Sequence, residues 1–132
     1  MDDIHEKLRR AGVQPTPQRV AVARFVLGTV SHPTADEVLA KARRECPTLS
    51  RATVYNTLAR LAERGLVRPQ TIREGVVVFD AHTQRHHHFV DETTGRIYDV
   101  PWEALSVFGE SSLREYDVRD YQVVMRGRRR KP

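Results

Sequence analysis

Residues 50–81 read SRATVYNTLARLAERGLVRPQTIREGVVVFDA, and this stretch decides the fold. Ser50 is a capping residue, because its hydroxyl oxygen can accept an N–H of a first helical turn. Val54, Leu58 and Leu61 then recur at i, i+4 and i+7, one apolar stripe of an amphipathic helix, and Gly65 suits its C-terminal cap. Directly after come two β-rich runs, LVRPQTI and VVVFDA, separated by the turn-forming set Arg73, Glu74 and Gly75. A capped helix followed at once by a two-stranded hairpin is the recognition helix and wing of a winged helix-turn-helix, whose last helix enters the DNA major groove.

Three further helices are expected upstream. Residues 2–11 put Ile4, Leu8 and Ala11 on one side and end at Gly12. In PTPQRVAVARFVLG (15–28), Thr16 can cap, Pro17 can take the first helical position, and Val20, Ala23, Val26 and Leu27 form the inner face. In HPTADEVLAKARRECP (32–47), Thr34 and Glu37 form a capping box, Val38, Leu39 and Ala42 face inward, and Pro47 is the expected stop. On the helix opened by Ser50, the side opposite Val54 and Leu58 presents Ala52 and Asn56 flanked by Arg51, Thr53, Tyr55 and Arg60. Asn can bond adenine with both ends of its amide, Thr and Ala can touch a thymine methyl, and Arg or Tyr can reach guanine or phosphate. Arg19 is a further phosphate candidate.

Downstream, RHHHFVDETTGRIYDV (85–100) reads as strand, turn and strand, with Thr93, Thr94 and Gly95 at the bend. Side chains alternate along a strand, so His86 and His88 share one face and His87 takes the other. If the turn pairs Val90 with Ile97, Asp99 lies opposite His88; a bulge at Gly95 would shift that register by one. Two imidazoles and a carboxylate make a nitrogen and oxygen site that suits Fe(II) or Mn(II), with Zn(II) competitive. Asp80 and His82 lie just upstream and could complete it.

Composition bounds the rest. The chain has 132 residues, 39% hydrophobic and 30% charged, enough to build one domain or two small ones and too little for a large multi-step enzyme. Its +5 net charge is unevenly spread: residues 1–80 carry 13 Lys/Arg and 9 Asp/Glu, residues 81–125 carry 4 and 8, and the basic tail from Arg126 to Lys131 adds five positive charges. The basic N-terminal part suits a polyanion, and the acidic segment holds four of the six histidines. No run is long and apolar enough for a membrane span, and charges stand where a signal peptide needs an apolar stretch, so a cytoplasmic protein is expected. The single cysteine, Cys46, excludes an intramolecular disulfide and a four-cysteine zinc site within one chain.

Taken in order, TPQR (16–19), HPTADEV (32–38), ATVYNTL (52–58), GLV (65–67) and the HHH through GRIYD stretch (86–99) resemble the Fur family of metal-dependent regulators, within it the peroxide-sensing PerR branch. The resemblance spans nearly the whole chain. It implies an α+β protein: an N-terminal winged helix-turn-helix DNA-binding domain (1–80), a hinge (81–85), and a small α/β dimerisation and metal-sensing domain with the basic tail (86–132). It further implies a homodimeric repressor on a palindromic double-stranded DNA operator. The family's regulatory site maps onto His32, Asp80, His86, His88 and Asp99, to be filled by Fe(II) or Mn(II), with Zn(II) possible in vitro. Asp at position 99 favours peroxide sensing, with His32 or His86 as the imidazole oxidised. His82 matches no ligand position.

The sequence departs from the family in two places. The first CxxC pair of the usual structural zinc site is replaced by Asp91 and Thr94, and MRGRRRKP stands where the second would be. A structural zinc held by four cysteines is therefore not expected, and dimerisation must use sheet pairing and apolar residues such as Ile97, Val118, Val123 and Val124. Asp120 and Tyr121 occupy the region where an additional metal site would have a histidine, so one regulatory metal per protomer is expected. Two other readings compete: an iron-, manganese- or haem-responsive regulator on the same scaffold, and a small metalloenzyme using His86, His88 and Asp99. A recognition helix and wing would serve no purpose in the enzyme, so a non-enzymatic protein is expected.

Overall fold

The computed structural model describes residues 3–29 and 31–130, leaving aside the side chain of Arg73. Asp2, at the start of the expected first helix, and Lys131, in the basic tail, lie outside the described residues. The chain divides into two compact units, Met1–Thr83 and Gln84–Pro132.

The first unit contains α1 (Asp3–Arg10), α2 (Pro17–Gly28), α3 (Ala35–Ala42), α4 (Arg51–Glu63), β1 (Arg68–Arg73) and β2 (Val76–Asp80). Each start from α2 to α4 is chemically marked. Thr16 Oγ1 accepts the Arg19 N–H at 3.3 Å, and Pro17 occupies the first turn of α2. Thr34 and Glu37 exchange both capping-box bonds, at 3.1 and 3.2 Å. Ser50 Oγ accepts the Thr53 N–H at 3.1 Å. A cap of this kind contributes about 1 kcal/mol. The end of α4 is closed by Gly65, whose φ of 75° only glycine adopts without strain, and by the Leu66 N–H returning to Leu61 at 2.9 Å. The third helix ends at Ala42, before the expected stop at Pro47. Tight turns carry the chain away first: the Arg44 N–H bonds Lys41 O and the Glu45 N–H bonds Ala42 O.

The core of this unit is apolar. Leu8, Val22, Val26, Val38, Leu49, Val54, Leu58, Leu61 and Val67 are buried. A full burial of this kind stabilises by about 1.5–3 kcal/mol per side chain. Helix α2 packs against α1, α3 and α4, which explains why Ala21 and Val22 are buried beyond the expected stripe of Val20, Ala23, Val26 and Leu27, of which Leu27 is only half-buried. The wing is an antiparallel pair with a bulge between Thr71 and Arg73. A further contact matters for the site: Thr34 bridges Val78 in antiparallel fashion, and the Phe79 N–H bonds Pro33 O at 2.8 Å. In that register His32 falls opposite Asp80.

The second unit is a three-stranded sheet, order β4-β3-β5, built from β3 (His86–Asp91), β4 (Ile97–Pro101) and β5 (Val124–Gly127). β3 pairs with β4 antiparallel and with β5 parallel. A parallel partner requires a crossover of a dozen or more residues. That crossover is short in helix: Trp102–Ala104 and Glu110–Ser112 are single 3₁₀ turns. The β3–β4 turn closes on itself. Asp91 Oδ1 accepts the Thr93 N–H at 2.9 Å, Thr94 Oγ1 accepts the Arg96 N–H at 3.2 Å, and Gly95 takes φ 77°. Asp91 and Thr94 thus close this bend with side-chain hydrogen bonds to the backbone. Of the apolar residues expected to serve dimerisation, Ile97, Val123 and Val124 are half-buried and Val118 is exposed.

Candidate functional site

In the first unit, the bridge between the entry to α3 and β2 brings His32 Nε2 to 3.3 Å from Asp80 Oδ2, with both side chains buried. The other carboxylate oxygen, Oδ1, accepts the His82 N–H at 2.8 Å. Asp80 is therefore oriented by backbone, and His82 contributes that N–H while its side chain is exposed.

In the second unit, the register pairs Val90 with Ile97 and His88 with Asp99, without a shift at Gly95. Asp99 Oδ1 lies 3.4 Å from His86 Nε2 and 3.8 Å from His88 Nε2. The two imidazoles meet edge-on, centroids 4.7 Å apart. Each has its Nδ1 engaged elsewhere: His86 with Gln84 O at 2.6 Å, His88 with Gln122 Oε1 at 3.0 Å. Oxygen acceptors beside Nδ1 favour a proton there, so in the neutral ring the lone pair lies on Nε2, the nitrogen nearest Asp99.

These separations fit a metal. Donors bound at about 2.1 Å to one cation lie about 3.0 Å apart at a right angle and about 3.4 Å apart at the tetrahedral angle. The observed 3.3 and 3.4 Å exceed most N–H···O hydrogen bonds, which run about 2.7–3.2 Å, and fall in the range of two donors on one ion, while the 3.8 Å between His88 and Asp99 is longer than either angle gives. Imidazole nitrogen and carboxylate oxygen without thiolate suit Fe(II), Mn(II) or Zn(II).

His87 occupies the other face of β3 and does different work. Its Nδ1 accepts the Val123 N–H at 3.0 Å, and its ring stacks on Trp102 with centroids 4.5 Å apart. Tyr121 lies 4.8 Å from Trp102, the Arg85 guanidinium sits 3.8 Å above the Trp102 ring, and Asp120 holds Arg85 at 3.3 Å. An aromatic stack capped by a cation fills this side.

The exposed face of α4 carries Arg51, Ala52, Tyr55 and Asn56, with Thr53 and Arg60 half-exposed. A polar hollow of about 320 Å³ joins Thr53 and Asn56 to Gln14, Thr16, Gln18 and Arg19 at the start of α2. The three candidate arginines hold internal partners: Arg19 donates to Gln14 O at 3.2 Å, Arg60 pairs with Glu63 at 3.3 Å, and Arg51 pairs with Asp36. These pairs are solvent-accessible, where an ion pair is worth about 0–1 kcal/mol, so exchange for phosphate costs little. Sequence reasoning missed Gln14 and Gln18 in the hollow, and Gln122, Trp102 and Tyr121 around the histidine strand. Gln122 is 34 residues from His88 in a segment without periodicity, so no local signal marked it.

A winged helix-turn-helix unit followed by a small sheet unit rich in nitrogen and oxygen donors defines a class, the metal-responsive transcriptional regulators. The chain belongs to the ferric uptake regulator family, whose profile matches residues 10–126. It is 34% identical over 129 residues to the peroxide-responsive repressor PerR of Staphylococcus epidermidis, covering 96% of this chain and 86% of that one. The PerR of Staphylococcus aureus is 33% identical, over 96% and 87%. Among solved structures, the Campylobacter jejuni peroxide stress regulator superposes with TM-score 0.64 at 26% identity, covering 96% of this chain and 93% of that one. The Vibrio cholerae ferric uptake regulator shares the fold, with TM-score 0.69 at 22% identity over 94% and 98%. Membership marks the chain as a transcriptional regulator. No helix among the described residues is long and apolar enough to cross a membrane.

Proposed function

We propose that the protein is a homodimeric, metal-dependent repressor that binds a palindromic operator and releases it in response to peroxide. One divalent cation per protomer takes His32 and Asp80 from the first unit and His86, His88 and Asp99 from the second. The hinge that this ion restrains is 81–85, between the DNA-binding domain at 1–80 and the sensing and dimerisation domain at 86–132. The observation that carries the reading is the gathering of nitrogen and oxygen donors within each unit: His32 and Asp80 at 3.3 Å in the first, and Asp99 at 3.4 Å from His86 and 3.8 Å from His88 in the second.

The reading element is α4. Asn56, Thr53 and Tyr55 face base edges, while Arg19, Arg51 and Arg60 take phosphates and fix the register. Dimerisation uses the exposed apolar side chains of the second unit, Phe108, Leu113, Tyr116 and Val118, which a second copy would cover. Bound Fe(II) supplies the chemistry by which hydrogen peroxide oxidises a neighbouring imidazole; at His32 or His86 the balance is one peroxide consumed, one oxygen atom added to the ring and one water released. An oxidised imidazole donates poorly, so the restraint on the hinge is lost. Mn(II) fits the same donors and reacts poorly with peroxide, so the metal held decides whether the signal is read.

The test loads the protein with Fe(II) or Mn(II) and follows operator binding and peptide mass before and after peroxide. The Fe(II) protein is expected to lose DNA and gain one oxygen at His32 or His86, and the Mn(II) protein to keep DNA with unchanged mass. DNA binding indifferent to metal removal contradicts the metal-dependent reading. Retained binding and unchanged mass in the Fe(II) protein contradict peroxide sensing.

A further inference from the structure

We infer that Gln122 positions His88 as a metal donor by fixing which of its ring nitrogens carries the proton; this rests on the reading of His86, His88 and Asp99 as ligands. The His88 side chain is fully buried at the centre of the sheet. Its Nδ1 stands 3.0 Å from Gln122 Oε1. An amide oxygen only accepts, so this contact places a hydrogen on Nδ1, and in the neutral ring the lone pair then lies on Nε2, the atom that stands 3.8 Å from Asp99. A buried imidazole with the opposite tautomer would present an N–H to the cation and repel it.

The placement is built from both side chain and backbone. Immediately after Gln122, Val123 O accepts the His88 N–H at 3.0 Å, and Val124 pairs with His88 across the parallel ladder. Consecutive residues thus hold the ring and the main chain of one histidine. His86 receives the equivalent service from a backbone carbonyl, Gln84 O at 2.6 Å, which no substitution removes. His87 is turned the other way: its Nδ1 accepts an N–H and stays unprotonated, the tautomer opposite to that of its neighbours. Gln122 is the side chain through which the tautomer at position 88 can be changed. Its own residue is exposed, so replacing it removes little packing.

The experiment compares the full-length protein with Gln122→Met, which keeps length but leaves only a weak thioether acceptor, and Gln122→Glu, which keeps an acceptor oxygen. Nitrogen-15 NMR of the metal-free proteins reads the His88 tautomer, and titration with Mn(II) and Co(II) reads affinity. The wild type is expected to hold His88 with hydrogen on Nδ1. Gln122→Met is expected to show mixed tautomers and to bind either metal about 10–100-fold more weakly, the usual loss on removing such an outer partner. Gln122→Glu is expected to restore both. An unchanged tautomer or wild-type affinity in Gln122→Met overturns the role of Gln122 alone. Failure of the wild type to bind either metal overturns the metal-site reading and this inference with it.

Discussion

The two units are stabilised by different chemistry. In the first, the buried positions are filled mostly by Leu, Val and Ala contributed by four helices and the wing. In the second, the buried residues among those described are His86, His87, His88, Val90 and Asp91, so a single aliphatic side chain stands among polar ones. Nearly everything from Pro101 to Asp120 is at least half-exposed, with Phe108 at 91%. Burying polar groups is favourable only when they are paired, and small units with little apolar core need a metal or a partner. The first unit therefore has an apolar core of its own, and on the proposed function the second would gain stability from a bound ion and a second copy. If the protein senses as proposed, that division puts the part that must respond where stability depends on a ligand.

The largest expected effect sharpens this contrast. Leu61→Ala removes a fully buried side chain of α4 and should cost about 2–5 kcal/mol, read by urea denaturation. Chelation should spare that core and loosen the sheet. At a metal concentration about 100-fold above Kd, the ion contributes about 2.7 kcal/mol, and hydrogen exchange should show β3 and β5 amides losing protection on chelation while α2 and α4 keep theirs. Equal loosening of both units would break the comparison. Asn56→Ala should weaken operator binding by about 1–3 kcal/mol and relax base preference without moving thermal stability, measured by titration against operator variants. Phe108→Glu, on the exposed surface, should shift the sedimenting species from dimer to monomer with the helical circular dichroism unchanged. The smallest effect belongs to Ser50→Ala, which loses the α4 cap and about 1 kcal/mol of stability.

How much could be read in advance follows the same division. Caps, stripes and the turn at Gly65 are local, and α2 and α4 start where Thr16 and Ser50 indicate. The strand register was legible as one of two options, since Val90 opposite Ile97 puts Asp99 beside His88 while a bulge at Gly95 would have shifted it, and the structure takes the unshifted one. What was hidden is non-local. The pairing of Thr34 with Val78 aligns His32 with Asp80, yet nothing in either segment alone states that partner. His87 lacked a role in the sequence because Trp102 and Tyr121 reach it only through the sheet order. The third helix ended early because backbone turns, not Pro47, redirected the chain.

The central claim is that one ion per protomer draws ligands from both units, and counting imidazoles on the bound metal tests it most directly. X-ray absorption or pulsed EPR of the Mn(II)-loaded protein should find three histidine nitrogens on one metal, falling to two in His32→Ala. Two nitrogens in the wild type, unchanged by His32→Ala, would contradict the account.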